Sequence, residues 1–293
     1  MNNNPKILAC VDATPVADVV ADYAAWSARK LQAPLEFLHV LDRHAELSSG
    51  RDHSGAIGLD AQEKLLAQLS HDDEVRTRAA REAGRIFLNQ LRERARAAGA
   101  MTVDTRLRHG KVEETLSEQQ EGTRLLVMGR AGSSTLTGGT GLGKHLEWVI
   151  RAVNCPILVA TGTYTELSQV LFAFDGGAVA RSGVEMLAAS SLLKGLPIHL
   201  VMSGAANAQK QRQLEGAVQT LKNAGIEATS DLLPGNPQDV IDSVLKTRPF
   251  DLLVMGAYSH SPLCNLFRGS KTSELLKATK VATLLIGGGR TPP

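Results

Sequence analysis

Residues Leu252 to Ser273 read Leu-Leu-Val-Met-Gly-Ala-Tyr-Ser-His-Ser-Pro-Leu-Cys-Asn-Leu-Phe-Arg-Gly-Ser-Lys-Thr-Ser. A short apolar run ends at Gly256, a loop follows, and Gly269-Ser270-Lys271-Thr272 opens the helical pattern Glu274-Leu275-Leu276-Lys277. A strand, a loop and a Gly-Ser helix start are the ingredients of a phosphate cradle. Glycine lets the backbone approach an oxyanion, and the unsatisfied N–H groups and dipole of the helix favour negative charge there. For a single copy, an ordinary strand-loop-helix connection with capping residues is the preferred reading.

The copy is not single. Leu125-Leu126-Val127-Met128-Gly129-Arg130-Ala131-Gly132 opens a second version, and Gly143-Lys144 before Leu146-Glu147-Trp148-Val149-Ile150 closes it. Each version runs on into an apolar strand, Pro156 to Ala160 or Ala282 to Ile286. Upstream, Lys6 to Asp12 matches Gln169 to Asp175, in both cases an apolar run ending in aspartate. Arg108-His109-Gly110-Lys111 and Leu233-Pro234-Gly235-Asn236 mark the same strand-to-helix turn in each half. The chain is two copies of one domain, expected at 1–162 and 163–293, with residues 162–168 as a short linker.

Composition agrees. A chain of 293 residues is long enough for two domains that each bury a core, and 43% hydrophobic with 21% charged residues describes a globular protein. A net charge of +2 gives no reason to expect nucleic acid or an anionic membrane as partner. The strand pattern begins by Lys6, and no apolar run nears the ~20 residues of a membrane span, so a cytoplasmic location is expected. Cys10, Cys155 and Cys264 form neither a C-x-x-C pair nor an even framework, and the first two read as buried thiols.

In chain order, each half offers five strands and four connecting helices, which predicts a doubly wound parallel sheet. The first half carries an insertion at about 42–72, read as loop with a short helical pattern near Asp60 to Leu69. A long Arg-rich helix then runs from Asp73 to Ala98, with Ala83, Ile86, Phe87, Leu91 and Ala95 expected inward. Its arginines alternate with Glu82 and Glu93 without aromatics, so a solvated face is expected rather than a nucleic-acid surface. His44, His53 and His71 lack the spacing of a metal site. In the second half, helices are expected at 178–194, 207–224, 236–247 and 270–279.

In such a sheet, ligands bind beyond the carboxyl ends of the strands where connections diverge. With strand order 3-2-1-4-5, Asp175 and Gly256 end neighbouring strands, as do Asp12 and Gly129. A carboxylate there suits a ribose hydroxyl or an adenine amino group, although such an Asp also serves simply to cap the next helix.

The whole chain resembles the universal stress protein family, as two such domains fused end to end. Nucleotide-binding members carry Gly-x2-Gly-x9-Gly-[Ser/Thr] after the fourth strand and an Asp after the first. The second half has Gly256-x2-Ser259-x9-Gly269-Ser270, with serine in place of the second glycine. The resemblance implies ATP, with Mg²⁺ as an optional companion. Asp175 would meet the adenosine, Met255 and Gly256 the ribose and phosphates, and Gly269, Ser270 and Lys271 the phosphates. The first half has Asp12, Met128, Gly129 and Gly132, but ten residues separate Gly132 from Gly143, and Lys144 replaces the hydroxyl residue. Its site is therefore expected to be the weaker. Gly138-x4-Gly143-Lys144-His145 imitates a phosphate-binding loop, but it starts nine residues past Gly129 and has His where a Mg²⁺ hydroxyl belongs.

Three functions compete. The first is a stress-response regulatory protein that binds an adenine nucleotide, mainly in the second domain, and signals through protein partners. The second is a nucleotide-free member acting as an interaction scaffold. The third is an enzyme similar to adenine nucleotide alpha-hydrolases; against it, strand 1 ends Phe174-Asp175-Gly176-Gly177, without a pyrophosphatase loop, and no catalytic constellation can be assigned. A non-enzyme is expected, with slow incidental ATP hydrolysis left open. The halves are expected to pack as a pseudo-two-fold pair through their fifth strands, as single-domain relatives pair two chains. A homodimer of the tandem chain is a further option.

Overall fold

The structure, a computed structural model, describes residues 5–41, 59–130, 143–256 and 279–287. The first half contains β1 (Lys6–Val11), α1 (Val16–Leu31), β2 (Leu35–Leu41), α2 (Leu59–Ala97), β3 (Val103–His109), α3 (Val112–Gln119), β4 (Thr123–Gly129), α4 (Lys144–Ala152) and β5 (Ile157–Ala160). The second contains β6 (Val170–Ala173), α5 (Ala178–Ala189), β7 (Ile198–Ser203), α6 (Ala208–Asn223), β8 (Ala228–Leu233), α7 (Pro237–Thr247), β9 (Leu252–Gly256) and β10 (Ala282–Ile286). Apart from Thr279, which is not helical, the helix expected at 270–279 lies outside the described residues, as do Ser259, Gly269, Ser270, Lys271, Gly132, His44 and His53.

All ten strands form one sheet in the order β3-β2-β1-β4-β5-β10-β9-β6-β7-β8. Each half is thus the expected 3-2-1-4-5 parallel unit. The halves join where β5 and β10 pair antiparallel, Val159 with Thr283, Leu158 with Leu284 and Ile157 with Leu285. Registers repeat between halves: Gly129 aligns with Ala160 as Gly256 aligns with Ile286, and Ile7 with Leu35 as Val170 with Ile198. Leu158 and Leu284 are therefore equivalent residues facing each other, and the pseudo-two-fold axis passes between them. The pairing removes two apolar edges that would otherwise be templates for aggregation.

Near-continuous apolar strands need cover on both faces. One apolar layer, under α1, α2, α5 and α6, takes Leu158, Ala160, Leu284 and Ile286 from the seam strands. The other, under α3, α4 and α7, takes Ile157, Val159 and Leu285. The alternation is the period-two geometry of a strand, and both layers cross the seam unbroken. Val254 and Leu285 are fully buried, as expected of these strands.

Three helix expectations change. The two patterns at 60–69 and 73–98 are one helix, α2, of 39 residues, so the insertion at 42–72 is helical from residue 59 onward. Its inward residues are Gly84, Leu88, Leu91 and Ala95 with half-buried Phe87 packed beside them, whereas Ala83 and Ile86 face solvent, Ile86 at 53% exposure. Gly84 is inward because a Cβ there would come within 2.9 Å of Leu107 Cδ1, so the missing side chain lets α2 lie close on β3. In the second half, α5 stops at Ala189 rather than at residue 194, and Ser190 turns the chain extended. The arginines are solvated as expected: Arg94 Nε meets Asp22 Oδ1 at 2.7 Å, and Arg96 meets Glu93 at 3.2 Å.

Candidate functional site

At the carboxyl edge of each half, strands 1 and 4 are neighbours. In the first half this brings Asp12 and Gly129 together, and in the second Asp175 and Gly256. The side chains of Met128 and Met255 are buried in the apolar layer, so only their backbones face the crevice; a side-chain contact from either to a ligand is not supported.

The two aspartates are held differently. Thr14 donates its hydroxyl to Asp12 Oδ1 at 2.7 Å. In the second half Gly177 N donates to Asp175 Oδ1 at 2.8 Å, so this carboxylate caps the turn into α5. Gly176 makes that turn with φ of +73°, a conformation side chains resist, and a Cβ there would come within 2.6 Å of Gln213 Oε1.

Sequence reasoning missed two cations at the rim of the second crevice. Arg181, in the first turn of α5, donates to Gly176 O at 2.5 Å. Lys210, in the first turn of α6, donates to Ser203 O at 3.1 Å, at the carboxyl end of β7. Neither α5 nor α6 has an acidic residue in its first turn. The counterpart of α5, α1, has Asp18 there, while α3 and α4 begin with Glu113, Glu114 and Glu147 and α7, the second-half counterpart of α3, begins with Asp239. Helix dipoles favour acids in first turns, so cations there run against the local preference. That mismatch was the available signal.

The first crevice has its own polar pair. His145 Nδ1 lies 2.7 Å from Glu113 Oε1, joining the starts of α4 and α3. Gly143 caps α4 and its N–H donates to Arg130 O at 3.1 Å. Cys10 sits beneath, and burial, with Asp12 and Glu113 adding, pushes its thiol up to about 12; burial does the same for Cys155. Both thiols stay protonated at neutral pH and are poor nucleophiles. Among the described residues no cluster of His, Cys, Asp or Glu could hold a metal ion. His71 is exposed on α2.

Beside Asp175 the recess between β6, β7 and the start of α7, lined by Phe174, Ser203 and Pro237, measures about 10 Å³. That is room for about one water.

Fold and crevices define a tandem doubly wound α/β protein with one acid-and-glycine crevice per half. A family model for the universal stress protein family matches residues 3–161 and again 167–287. The chain belongs to that family, as a tandem member. It is 31% identical over 282 residues to universal stress protein Slr1230 of Synechocystis sp., covering 95% of this chain and 98% of that one. Its fold is similar to a universal stress protein from Archaeoglobus fulgidus (TM-score 0.68, 15% identity, 98% of both chains). It is also similar to the functionally unknown protein PA1789 from Pseudomonas aeruginosa PAO1 (TM-score 0.60, 17% identity, 97% of this chain and 92% of that one). Among the described residues no helix is long and apolar enough to cross a membrane.

Proposed function

We propose that this protein is a stress-response regulator that binds ATP or a related adenine nucleotide in the strand 1/strand 4 crevice, mainly of the second half. The observation that carries the choice of half is the charge at the rim. Arg181 and Lys210 project positive charge over the carboxyl edge of the second sheet, and their helices α5 and α6 have no acids in their first turns. A polyphosphate brought to that edge meets two cations as well as backbone N–H groups. In the first crevice it meets Asp18 at the start of α1 in place of Arg181; the acids of α3, Glu113 and Glu114, are engaged by His145 and Lys111, and α7 of the second half has Asp239. Asp175 would exchange its bond to Gly177 N for the adenosine, and the loop ending at Gly269-Ser270 would supply the phosphate contacts, with Mg²⁺ as companion to the phosphates. The role is binding and signalling through conformation or protein partners, not catalysis.

The alternative is a nucleotide-free scaffold that uses the same fold to bind proteins. Mass spectrometry of small molecules released from purified, denatured protein separates the two. An adenine nucleotide near one per chain, reduced by Asp175→Ala and hardly by Asp12→Ala, supports nucleotide binding. No nucleotide in the released fraction and no ATP heat in calorimetry supports the scaffold.

A further inference from the structure

The helix α2 is longer than the surface it covers. None of the side chains described from Leu69 to Ala83 is buried, and burial begins at Gly84. The segment before Gly84 is about 25 residues, roughly 37 Å of helix. Helices in proteins draw most of their stability from packing an apolar face rather than from propensity. This segment has such a face, and the rest of the chain does not cover it. Val75, Ala79, Ala83 and Ile86 recur at helical spacing, so at about 100° per residue they share one stripe. Val75 is 55% and Ile86 53% exposed, and both alanines are exposed. The stripe lies about 150° round the helix from Gly84, Leu88, Leu91 and Ala95, and so points away from the sheet.

The charges beside the stripe decide what can cover it. Along one flank run Glu74, Arg78, Glu82 and Arg85, alternating in sign and all exposed. Glu74 and Arg78 make no ion pair among the described residues. Arg85 Nη1 stands 4.0 Å from Glu82 Oε2, with the two side chains 73% and 64% exposed, so this contact is a solvated one. Read in the opposite direction, the series has every sign reversed. An antiparallel copy related by a two-fold axis beside Ala79 and Ala80 therefore sets Arg78 opposite the partner's Glu82 and Arg85 opposite the partner's Glu74, each pair occurring twice. The same axis brings Val75 against the partner's Ile86, and the small side chains of Ala79 and Ala83 let the two helices approach closely. Charge pairs flanking an apolar seam are what fix partner and orientation in paired helices.

Other occupants fit less well. Between residues 71 and 86 acids and arginines are equal in number, so the face has no net field to draw a polyanion. No aromatic ring or leucine stands in the stripe to anchor the helix in a lipid interface. A second copy is not obstructed by its own body, because the stripe points away from the sheet and the two bodies fall on the outer sides of the helix pair. The helix lies against β3, at the edge of the sheet remote from the β5–β10 seam, so the face is separate from the contact that joins the halves.

We propose that α2 is a dimerisation element: two copies of the tandem chain pair antiparallel through the Val75–Ile86 face, with Arg78 on the partner's Glu82 and Arg85 on the partner's Glu74. Sedimentation velocity of the full chain between about 1 and about 200 μM tests this. One helix pair is a contact at the small end of interface sizes, so a reversible dimer dissociating on the order of 10 μM is expected. Arg78→Glu and Glu82→Arg, both at exposed positions, should each weaken it about tenfold or more by turning two attractions into repulsions. The double variant R78E/E82R reverses both partners and should recover the wild-type constant to within about threefold. Ala79→Arg, which sets two long cations side by side at the axis, should abolish the dimer. Urea midpoints taken at the lowest concentration check that each variant folds, and the charge-swap series keeps the test valid should Ala79→Arg not fold. A chain that stays monomeric throughout overturns the proposal. So does a dimer indifferent to Arg78→Glu and Ala79→Arg, which would use another surface. Loss in both single variants without recovery in the double overturns it as well, because the two charges would then not be partners. None of these results bears on whether ATP binds.

Discussion

The two halves share a backbone and differ in nearly every polar decision made upon it. On the second residue of strand 2 the first half has Glu36, whose carboxylate meets Arg106 Nε at 3.0 Å and Lys6 Nζ at 3.1 Å. At the same registers the second half has His199 and Asp231, with His199 Nε2 3.1 Å from Asp231 Oδ2 and 3.0 Å from Arg248 Nη1. The strand 3 partner has changed sign, from Arg106 to Asp231, and the strand 2 residue has changed with it. What survives is complementarity across the pair rather than the identity of either partner. The apolar strands fix register, because a one-residue slip would turn every buried side chain outward. Polar positions are then free to diverge while each pair stays matched. The same freedom placed Arg181 and Lys210 at the starts of α5 and α6, whereas α1 begins with Asp18.

The largest expected effect tests whether the halves are equivalent in the core. Val127 and Val254 occupy matching positions in strand 4 of each half, both fully buried. Val127→Asp and Val254→Asp should each destabilise by several kcal/mol, about 5, since an unpaired charge would enter an apolar layer. Urea denaturation measures both. One soluble variant with an unchanged unfolding midpoint would show that its half does not hold that strand in the sheet.

The next effect should separate the halves. Gly269→Val is expected to weaken ATP binding on the order of 100-fold in calorimetry, because in the proposed site a branched side chain there would obstruct the phosphate. Gly143→Val should change it little. The reverse ranking would move the principal site to the first half, and promote Asp12, Gly129, Gly132 and Lys144.

Much of this architecture is legible in sequence because it is written in apolar periodicity. The strands, the repeat and the apolar edges at Ile157–Ala160 and Ala282–Ile286 follow from runs of buried residues, whereas the order 3-2-1-4-5, on which the aspartate-glycine juxtaposition depends, is not fixed by those runs and is supplied by the structure. The single long α2 is not legible in the same way. Ser70-His71-Asp72-Asp73 reads as a break, yet helix propagation carries through four polar residues once turns on either side are formed. Choosing Ala83 and Ile86 as inward followed hydrophobicity, whereas the contact is made by Gly84, whose value lies in an absent side chain. Arg181 and Lys210 lie against the turns at Gly176 and Gly204, which take positive φ, of +73° and +114°. No local pattern states that.

A pH dependence should mark the second half alone at the strand 2–strand 3 pair. His199 is buried, its Nδ1 is 2.8 Å from Thr229 Oγ1, and Asp231, Arg248 and Phe250 complete its surroundings. Burial, then Arg248, hold its pKa below the ordinary value, and Asp231 only partly offsets them. The fold therefore favours the neutral ring. The resulting stability is present above the unfolded histidine pKa of about 6.5 and is lost as pH falls below it, toward the folded value. Urea midpoints at pH 7.5 and pH 5.5 should differ more in the wild type than in His199→Gln. Equal differences would assign the acid sensitivity to other groups.

The smallest effect lies on the seam, where the halves meet and the comparison is closest. Ile157 and Thr283 are equivalent residues of strands β5 and β10, each facing the partner strand across the pseudo-axis. Ile157 is apolar and packs in its layer. Thr283 is equally buried, at 1% exposure, and its hydroxyl has no hydrogen-bond partner among the described residues. A buried hydroxyl without a partner loses its hydration and regains nothing, whereas a methyl of the same shape carries no such penalty. Both residues are β-branched, so strand propensity and rotamer are nearly unchanged by Thr283→Val. The variant should be more stable than wild type by about 1 kcal/mol, read as a higher urea midpoint at constant slope. Ile157→Thr should do the opposite and lower it by more, since it removes packed apolar volume and also introduces a hydroxyl. A destabilised Thr283→Val would mean that the hydroxyl has a partner in the folded chain, and the seam would then contain a polar contact in the second half that the first half lacks.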